Sequence, residues 1–195
     1  MIYWNQFYQI ESNHRRNHLD KLNYIKHTLT SVHLRILSIC DGLSHEQLVW
    51  RPSPTANNIA FNIWHISRGE ESIANLINST QKHIWISEGW RERFGHNEET
   101  DEYKNACDIL NLPMPEHSIL IGYMEAAFEK TISIVDQLTN DSLEFAIDQA
   151  KPEYTSSIYL AHLTTHKNSH HGQIDYIRGL QSPGWSAKSG IGMIT

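Results

Sequence analysis

The sequence predicts an all-α protein, an antiparallel four-helix bundle in which a long irregular excursion separates the second helix from the third. Four segments of about 20 residues each carry apolar residues at intervals of three and four, which is the spacing of one helix face. No segment alternates apolar and polar residues convincingly enough to predict a strand. The 195 residues suit one domain with its own core.

The first two helices are predicted on either side of a break at Arg51-Pro52-Ser53-Pro54. The first runs from about residue 17 to residue 40, and the second runs from about residue 57 to residue 79. Between them, Ser44 is followed three residues later by Gln47, a pair that predicts the cap of a short helical turn.

The rest of the chain completes a single predicted domain, 1–195. The other predicted parts are an N-terminal arm (1–17), the excursion (80–116), a third helix (about 118–138), a fourth helix (about 155–180) and a C-terminal tail (182–195). Because the excursion is too long for a simple connection, we expect a short helix within it, near residues 99–110.

The composition argues against several classes of protein. A net charge of −6 with 16 Lys and Arg residues argues against a general nucleic-acid surface, and no apolar run approaches the roughly 20 residues of a membrane span. The N-terminus lacks the features of a signal peptide, and Cys40 and Cys107 are far apart, so we expect a cytoplasmic protein with free thiols. The aromatic arm between Tyr3 and Tyr8 favours docking against the bundle or a second subunit, and we expect a homodimer.

Histidine is unusually frequent, with 13 residues that are unevenly spread. His162, His166 and His170 lie at i, i+4 and i+8 on the fourth predicted helix, on the same face as apolar residues such as Ile158 and Ile174. If that face is the core, each unpaired imidazole costs about 1–3 kcal/mol, and a divalent metal ion would satisfy them. A solvated polar face is the alternative.

The second predicted helix offers a further candidate ligand, His65, which flanks its apolar stripe at mid-helix. Three imidazoles leave a divalent ion with an open coordination position, which is typical of a catalytic site and not of a closed structural one. Glu70 interrupts the same stripe. Glu70 and Glu71 are expected to be exposed charges or partners that support the ligands.

Two motifs in this order resemble those of a known family. The segment 50–54 (WRPSP), followed by 58–66 (NIAFNIWHI), is similar to the start of the second helix in DinB-like (YfiT-like) four-helix-bundle metalloproteins. The segment 166–174 (HKNSHHGQI) is similar to the HxxxH-x-GQ signature of that family, and 84–95 (IWISEGWRERFG) is similar to a stretch of many bacterial members. The resemblance extends over most of the chain.

The resemblance implies a bundle that holds one divalent ion on His65, His166 and His170. Three imidazoles suit Zn, Ni, Fe, Co or Cu. His162 lies outside the family pattern; it is a candidate catalytic group that orients the substrate or shuttles a proton, or else a fourth ligand that caps the ion. Some members are thiol-dependent S-transferases, so the expected function is a metal-dependent transferase with a low-molecular-weight thiol and a small-molecule substrate. A metal-dependent hydrolase and a non-catalytic, stress-related metal-binding protein are the alternatives.

Three aromatic residues of the excursion, Trp85, Trp90 and Phe94, have two open interpretations. They cover or border the open side of the metal, because the ends of bundles are where substrates enter. Alternatively, they seal one end of the hydrophobic core.

Overall fold

Seven α-helices and one 3-10 helix form in the residues that the computed structural model describes, which are 20–80, 82–97, 110–182 and 184–185. They are α1 (Lys21–Cys40), α2 (His45–Val49), α3 (Ile59–Ile77), α4 (Ile84–Ser87), α5 (Trp90–Arg93), α6 (His117–Val135), the 3-10 helix (Ser142–Glu144) and α7 (Ser156–Gln181). No strand occurs within those ranges, and the predicted all-helical fold class is confirmed. In that part of the chain, no helix combines the length and the apolar character that a membrane crossing requires.

Three of the four long helices, α1, α3 and α7, begin where a short polar side chain accepts a hydrogen bond from a free backbone N–H group. Asn58 accepts from the N–H of Phe61 at 2.7 Å at the start of α3, and Thr155 caps the start of α7. Ser44 and Gln47 form both hydrogen bonds of the predicted capping box at α2, so that prediction is confirmed. The four long predicted helices correspond to α1, α3, α6 and α7.

The core lies between these four helices. α3 packs along both α6 and α7, while α1 packs along α7 and, less closely, along α6. Each fully buried Leu, Ile or Phe side chain stabilises the fold by about 1.5–3 kcal/mol. α3 is buried on every side but one, and the residues on its accessible stripe are His65, Arg68, Gly69, Ser72, Leu76 and Ile77. A ligand can therefore reach α3 only along this stripe.

The described part of the segment between α3 and α6, residues 82–97, covers another side of α3. Trp85 of α4 is fully buried, and its backbone N–H donates to Oε1 of Glu71 at 3.1 Å. Gly89 adopts a φ of 70°, in the left-handed region that favours glycine, where the chain turns between α4 and α5. The short helix predicted near residues 99–110 lies almost wholly outside the described residues, as do Cys107, the predicted N-terminal arm and most of the predicted tail.

The buried face of α7 differs from the predicted one. Ile158, which was predicted to face the core, is 51% exposed, and His162 is exposed as well. The buried residues of α7 are Ser156, Leu160, Leu163, Lys167, Ile174 and Ile177. The prediction is wrong for Ile158 and confirmed for Ile174, which is fully buried. The buried face is turned towards Lys167, a residue that apolar periodicity alone places outside. The histidine ladder therefore lies at the edge of the core and not at its centre.

Candidate metal centre

Three histidines from two helices converge beside the accessible stripe of α3. His65 lies near the middle of α3, and His166 and His170 lie one turn apart on α7, so that both project from the same side of that helix. One ligating nitrogen from each ring lies within 4.8 Å of those of the other two. The Nε2 atoms of His65 and His166 are 3.2 Å apart. The three predicted ligands are thus brought together, each half-buried.

Asn62 orients the third imidazole. Its Oδ1 lies 2.7 Å from Nδ1 of His170, and an amide oxygen can only accept a hydrogen bond. Nδ1 of His170 therefore carries the hydrogen and donates it, which leaves the lone pair of Nε2 free to bind a metal ion. Because Asn62 lies less than one turn before His65, one short stretch of α3 supplies a ligand and positions another.

Gly69 makes room for the second imidazole. A Cβ atom at this position would lie 3.3 Å from Cε1 and 3.6 Å from Nδ1 of the His166 ring, closer than packing normally allows for the first of these contacts. The absence of a side chain lets α7 approach α3 at the level of the ligands. This glycine was not singled out in the sequence, where it is one helical residue between Arg68 and Glu70.

The electrostatics of the cluster suit a divalent cation. Burial lowers the pKa of His65, and burial followed by the neighbouring imidazoles lowers the pKa of His166 and of His170, the latter to about 4. All three rings are therefore neutral at pH 7, which is the state that ligates a metal. A tetrahedral zinc-like ion separates two ligating nitrogens by about 3.3 Å. The separation of 3.2 Å between the Nε2 atoms of His65 and His166 fits such an ion.

His162 lies beside this cluster without joining it. Its ring stacks on that of His166, with ring centroids 6.0 Å apart and an angle of 15° between the planes. Its side chain is exposed, as is that of Gln173 on the other side of His170. His162 is therefore placed next to a ligand on the solvent side, where a group that exchanges protons with substrate or water would stand.

A comparison with protein families matches residues 28–174, three quarters of the chain, to the DinB superfamily. The chain belongs to the DinB superfamily. The resemblance inferred from the WHI and HKNSHHGQ motifs is confirmed, and the matched range contains His65, His166 and His170.

A solved structure shares the fold of this chain. It is described as the crystal structure of the conserved protein of locus from Enterococcus faecalis, and it superimposes with a TM-score of 0.73 at 22% sequence identity. The match covers 83% of this chain and 96% of that chain. At this identity the likeness concerns the fold alone. The comparison with curated proteins found no match to this chain.

This DinB superfamily member buries an ion pair directly behind the histidines. Nζ of Lys167 donates to Oε2 of Glu70 at 2.6 Å, and both side chains are 0% exposed. Burial raises the pKa of Glu70, an effect that the positive charge of Lys167 opposes. The prediction that Glu70 is an exposed charge is wrong. The signal available in the sequence was the interruption of the apolar stripe of α3 by Glu70, at the level of the histidine ladder.

Glu71 is likewise buried, and it ties three parts of the DinB domain together. Its Oε2 accepts from the hydroxyl of Tyr123 at 2.6 Å and from Nη1 of Arg68 at 3.0 Å, while its Oε1 accepts from the backbone of Trp85. Burial, and next the charge of Glu71, raise the pKa of Tyr123, so its hydroxyl stays protonated and donates. Glu71 faces α6, away from the histidines that α3 shares with α7.

The aromatic residues of the excursion pack toward α6. The rings of Trp85, Trp90 and Phe94 each contact Tyr123 of α6, with centroid separations of 5.0, 5.6 and 5.6 Å. Trp85 and Phe94 are buried in the larger hydrophobic cluster. Within the described residues, the ring contacts of these three side chains do not include the histidine cluster. This placement corresponds to the interpretation in which they seal the core.

Proposed function

We propose that this DinB superfamily protein is a metal-dependent enzyme that joins a low-molecular-weight thiol to an electrophilic small molecule. His65, His166 and His170 are the ligands of its divalent ion, Zn, Ni, Fe or Co. The observation that carries the proposal is the convergence of three neutral imidazoles, one from α3 and two from α7, at the one accessible stripe of α3. A site built only to stabilise the fold needs no access to solvent, and it normally completes its coordination with a fourth protein ligand.

The chain contributes binding, orientation and proton transfer. A bound divalent ion would supply Lewis acidity, which lowers the pKa of a thiol or water at its open position. The neutral imidazoles of His65, His166 and His170 would bind the ion. Asn62 fixes the orientation of the His170 ring. The thiol sulfur forms a bond to the electrophilic carbon, and the leaving group departs with its bonding electrons. The thiol proton passes to the exposed His162 and then to solvent.

The proposal includes an antiparallel four-helix bundle as the scaffold. Its support comes from pairs of contacts along neighbouring helices. Between α3 and α7, Asn62 meets His170 whereas Glu70 meets Lys167, so residue numbers rise along one helix as they fall along the other. The contacts between α1 and α6 follow the same rule.

The cellular setting that this proposal requires is a reducing one. A cytoplasm supplies reduced small thiols as cosubstrates. Burial raises the pKa of the free Cys40 thiol to about 12, so this residue would not compete with the cosubstrate as a nucleophile. A homodimer stays a prediction, which light scattering of the full chain would test.

Elemental analysis of the purified protein and cobalt substitution test the metal site. We expect one cobalt ion per chain and a visible spectrum that changes when a small thiol is titrated at pH 7.5. His166→Ala should lose the ion, whereas His171→Ala, a change to a neighbouring histidine of α7 outside the cluster, should retain it. Full metal stoichiometry and affinity in His166→Ala would contradict the ligand assignment.

A screen of thiols against electrophiles tests the reaction. We expect turnover that needs both the ion and the thiol, and His162→Ala should lower turnover while the ion stays bound. Turnover of esters or amides without any thiol would assign hydrolysis instead. A bound ion whose spectrum no thiol changes, together with the absence of turnover, would assign a non-catalytic role.

A further inference from the structure

The histidine ladder of α7 contains two neighbouring pairs that have the same spacing. His162 and His166 are four residues apart, as are His166 and His170, and all three project from one side of the helix. If α7 moved along α3 by one turn, about 6 Å, the first pair would take the place of the second. The ladder alone therefore does not determine which pair faces His65.

Most contacts between α3 and the ladder would be remade after such a shift. The amide oxygen of Asn62 would meet His166 in place of His170, and the open space at Gly69 would receive His162 in place of His166. His65 would again face two imidazoles. These contacts build a three-histidine site, but they do not distinguish one pair from the other.

Apolar packing is sparse at the level of the ligands. α7 is described throughout its length, and between Leu163 and Ile174, a stretch of three turns, Lys167 is its one buried side chain. Ile174 and Ile177 hold the C-terminal part of α7 against the core. Two directional contacts besides those of the histidines hold the turns that carry the ligands. One is the exposed hydrogen bond from Arg35 of α1 to Asn168 at 2.6 Å, and the other is the ion pair between Lys167 and Glu70 at 2.6 Å, the only one of the two that is buried.

Only one position of α7 satisfies that ion pair. After a shift by one turn, Leu163 would stand where Lys167 stands and would leave the carboxylate of Glu70 buried without a cation. Breaking a buried pair is strongly unfavourable, and the best documented use of buried polar groups is to fix the register of helices. We infer that Glu70 and Lys167 are a positioning pair that selects His166 and His170, and not His162, as the ligands from α7.

This inference rests on the proposed metal site, and the test distinguishes a failure of the inference from a failure of that site. Cobalt alone is the probe, with the dissociation constant and the visible spectrum as readouts. The apolar pair Glu70→Leu/Lys167→Met keeps the volume of the interior, so its urea midpoint in the absence of metal should stay at or above that of the wild type. Its cobalt dissociation constant should rise at least tenfold. Lys167→Met alone should lower the urea midpoint, because it leaves Glu70 unpaired.

A second readout is which histidines bind cobalt. Removing a pair that only stabilises the fold would not change this set of ligands, whereas removing a positioning pair would. In the wild-type background, His162→Ala should bind cobalt normally and His170→Ala should not, although His162 is still present. In the apolar-pair background, His162→Ala should weaken cobalt binding further. The matched control is Lys26→Met/Asp136→Leu, which removes an exposed ion pair between α1 and α6 and should leave cobalt binding unchanged.

Two results would overturn the inference while leaving the metal site intact. One is an apolar-pair variant that binds cobalt as tightly as the wild type through the same histidines. The other needs no change to the ion pair: His170→Ala binds cobalt tightly and loses it only when His162→Ala is added. If instead the wild type itself binds no cobalt through His65, His166 and His170, the proposed function fails.

Discussion

At the scale of single residues, the site depends on side chains that bind nothing themselves. Asn62 turns the ring of His170, and Gly69 leaves space for the ring of His166. Groups of this kind hold ligands in the orientation that a metal ion needs, and their replacement typically weakens metal binding 10- to 100-fold. Their effects can be separated from effects on the fold.

Gly69→Ala is the sharpest single substitution for this purpose. The added methyl group would lie 3.3 Å from Cε1 of His166 and push the ring away, so metal affinity should fall roughly tenfold or more. The metal-free fold should lose little, because Ala favours a helix over Gly by about 0.5–1 kcal/mol. Gly172→Ala on α7, where a methyl group meets nothing within 4 Å, is the matched control and should leave metal affinity unchanged. Zinc titration and urea denaturation of both variants measure the two effects, and wild-type affinity in Gly69→Ala would contradict the packing argument.

The imidazoles also predict a pH dependence for the metal-free protein. The unfolded chain protonates His170 near pH 6.5, whereas in the folded protein burial and then His65 and His166 lower its pKa to about 4. Between these values the unfolded chain binds more protons, so stability is fully present above about pH 6.5 and is lost as the pH falls towards 4. The lowered pKa values of His65 and His166 act in the same direction.

Urea midpoints of metal-free protein from pH 7.5 to pH 4.5 check this sign. His170→Gln should flatten the curve, and His162→Gln, which changes an exposed histidine of the same helix, serves as the comparison. Metal affinity of the folded protein should hold down to about pH 6.5 and fall only below it. A stability that rises as the pH falls through this window would show that the imidazoles are not buried as described.

At the scale of helices, α3 organises the molecule by carrying different groups on different sides. On one side, His65, Asn62 and Glu70 contact residues of α7. On another side, Glu71 contacts residues of α6 and α4. The two buried carboxylates, Glu70 and Glu71, therefore serve separate junctions, although they are neighbours in sequence.

Glu71→Ala should destabilise the fold without touching the metal centre. The substitution leaves the hydroxyl of Tyr123 and the backbone N–H of Trp85 buried without their acceptor, at a cost of about 3 kcal/mol. Tyr123→Phe removes one donor and should cost about 1 kcal/mol. Glu144→Ala, which breaks an exposed ion pair with Lys21, should cost less than about 1 kcal/mol. Urea denaturation followed by tryptophan fluorescence measures these free energies. An unchanged zinc affinity of Glu71→Ala would show that the substitution leaves the metal centre intact.

At the scale of the whole molecule, the sequence predicted the long helices, and it singled out the three histidines that the structure brings together. Apolar periodicity and the cap at Ser44 are local signals, and the two histidine motifs are read directly from the sequence. The buried pair of Glu70 and Lys167 was missed because it requires knowing which side of α7 meets α3. Apolar periodicity assigns a lysine to the solvent side of a helix. For the same reason, the predicted buried face of α7 included Ile158 and not Lys167. The helices α4 and α5, each of four residues, are too short to show a period.

The size of the core predicts how the whole fold responds to its metal. The hydrophobic clusters include side chains from all four long helices, such as Ile36, Ile63, Met124 and Leu163, and none of these is a ligand of the ion. The metal-free protein should therefore stay folded, unlike a small zinc finger, and a chelator should lower its melting temperature without unfolding it at 25 °C. Free zinc at 100 times its dissociation constant adds about 2.7 kcal/mol, or roughly 5–10 °C for a chain of this length. Circular-dichroism melts with zinc, and then with excess chelator, measure the shift. His166→Ala should show no shift with zinc, and loss of helical signal on chelation at 25 °C would mean that the ion holds the fold together and not only the site.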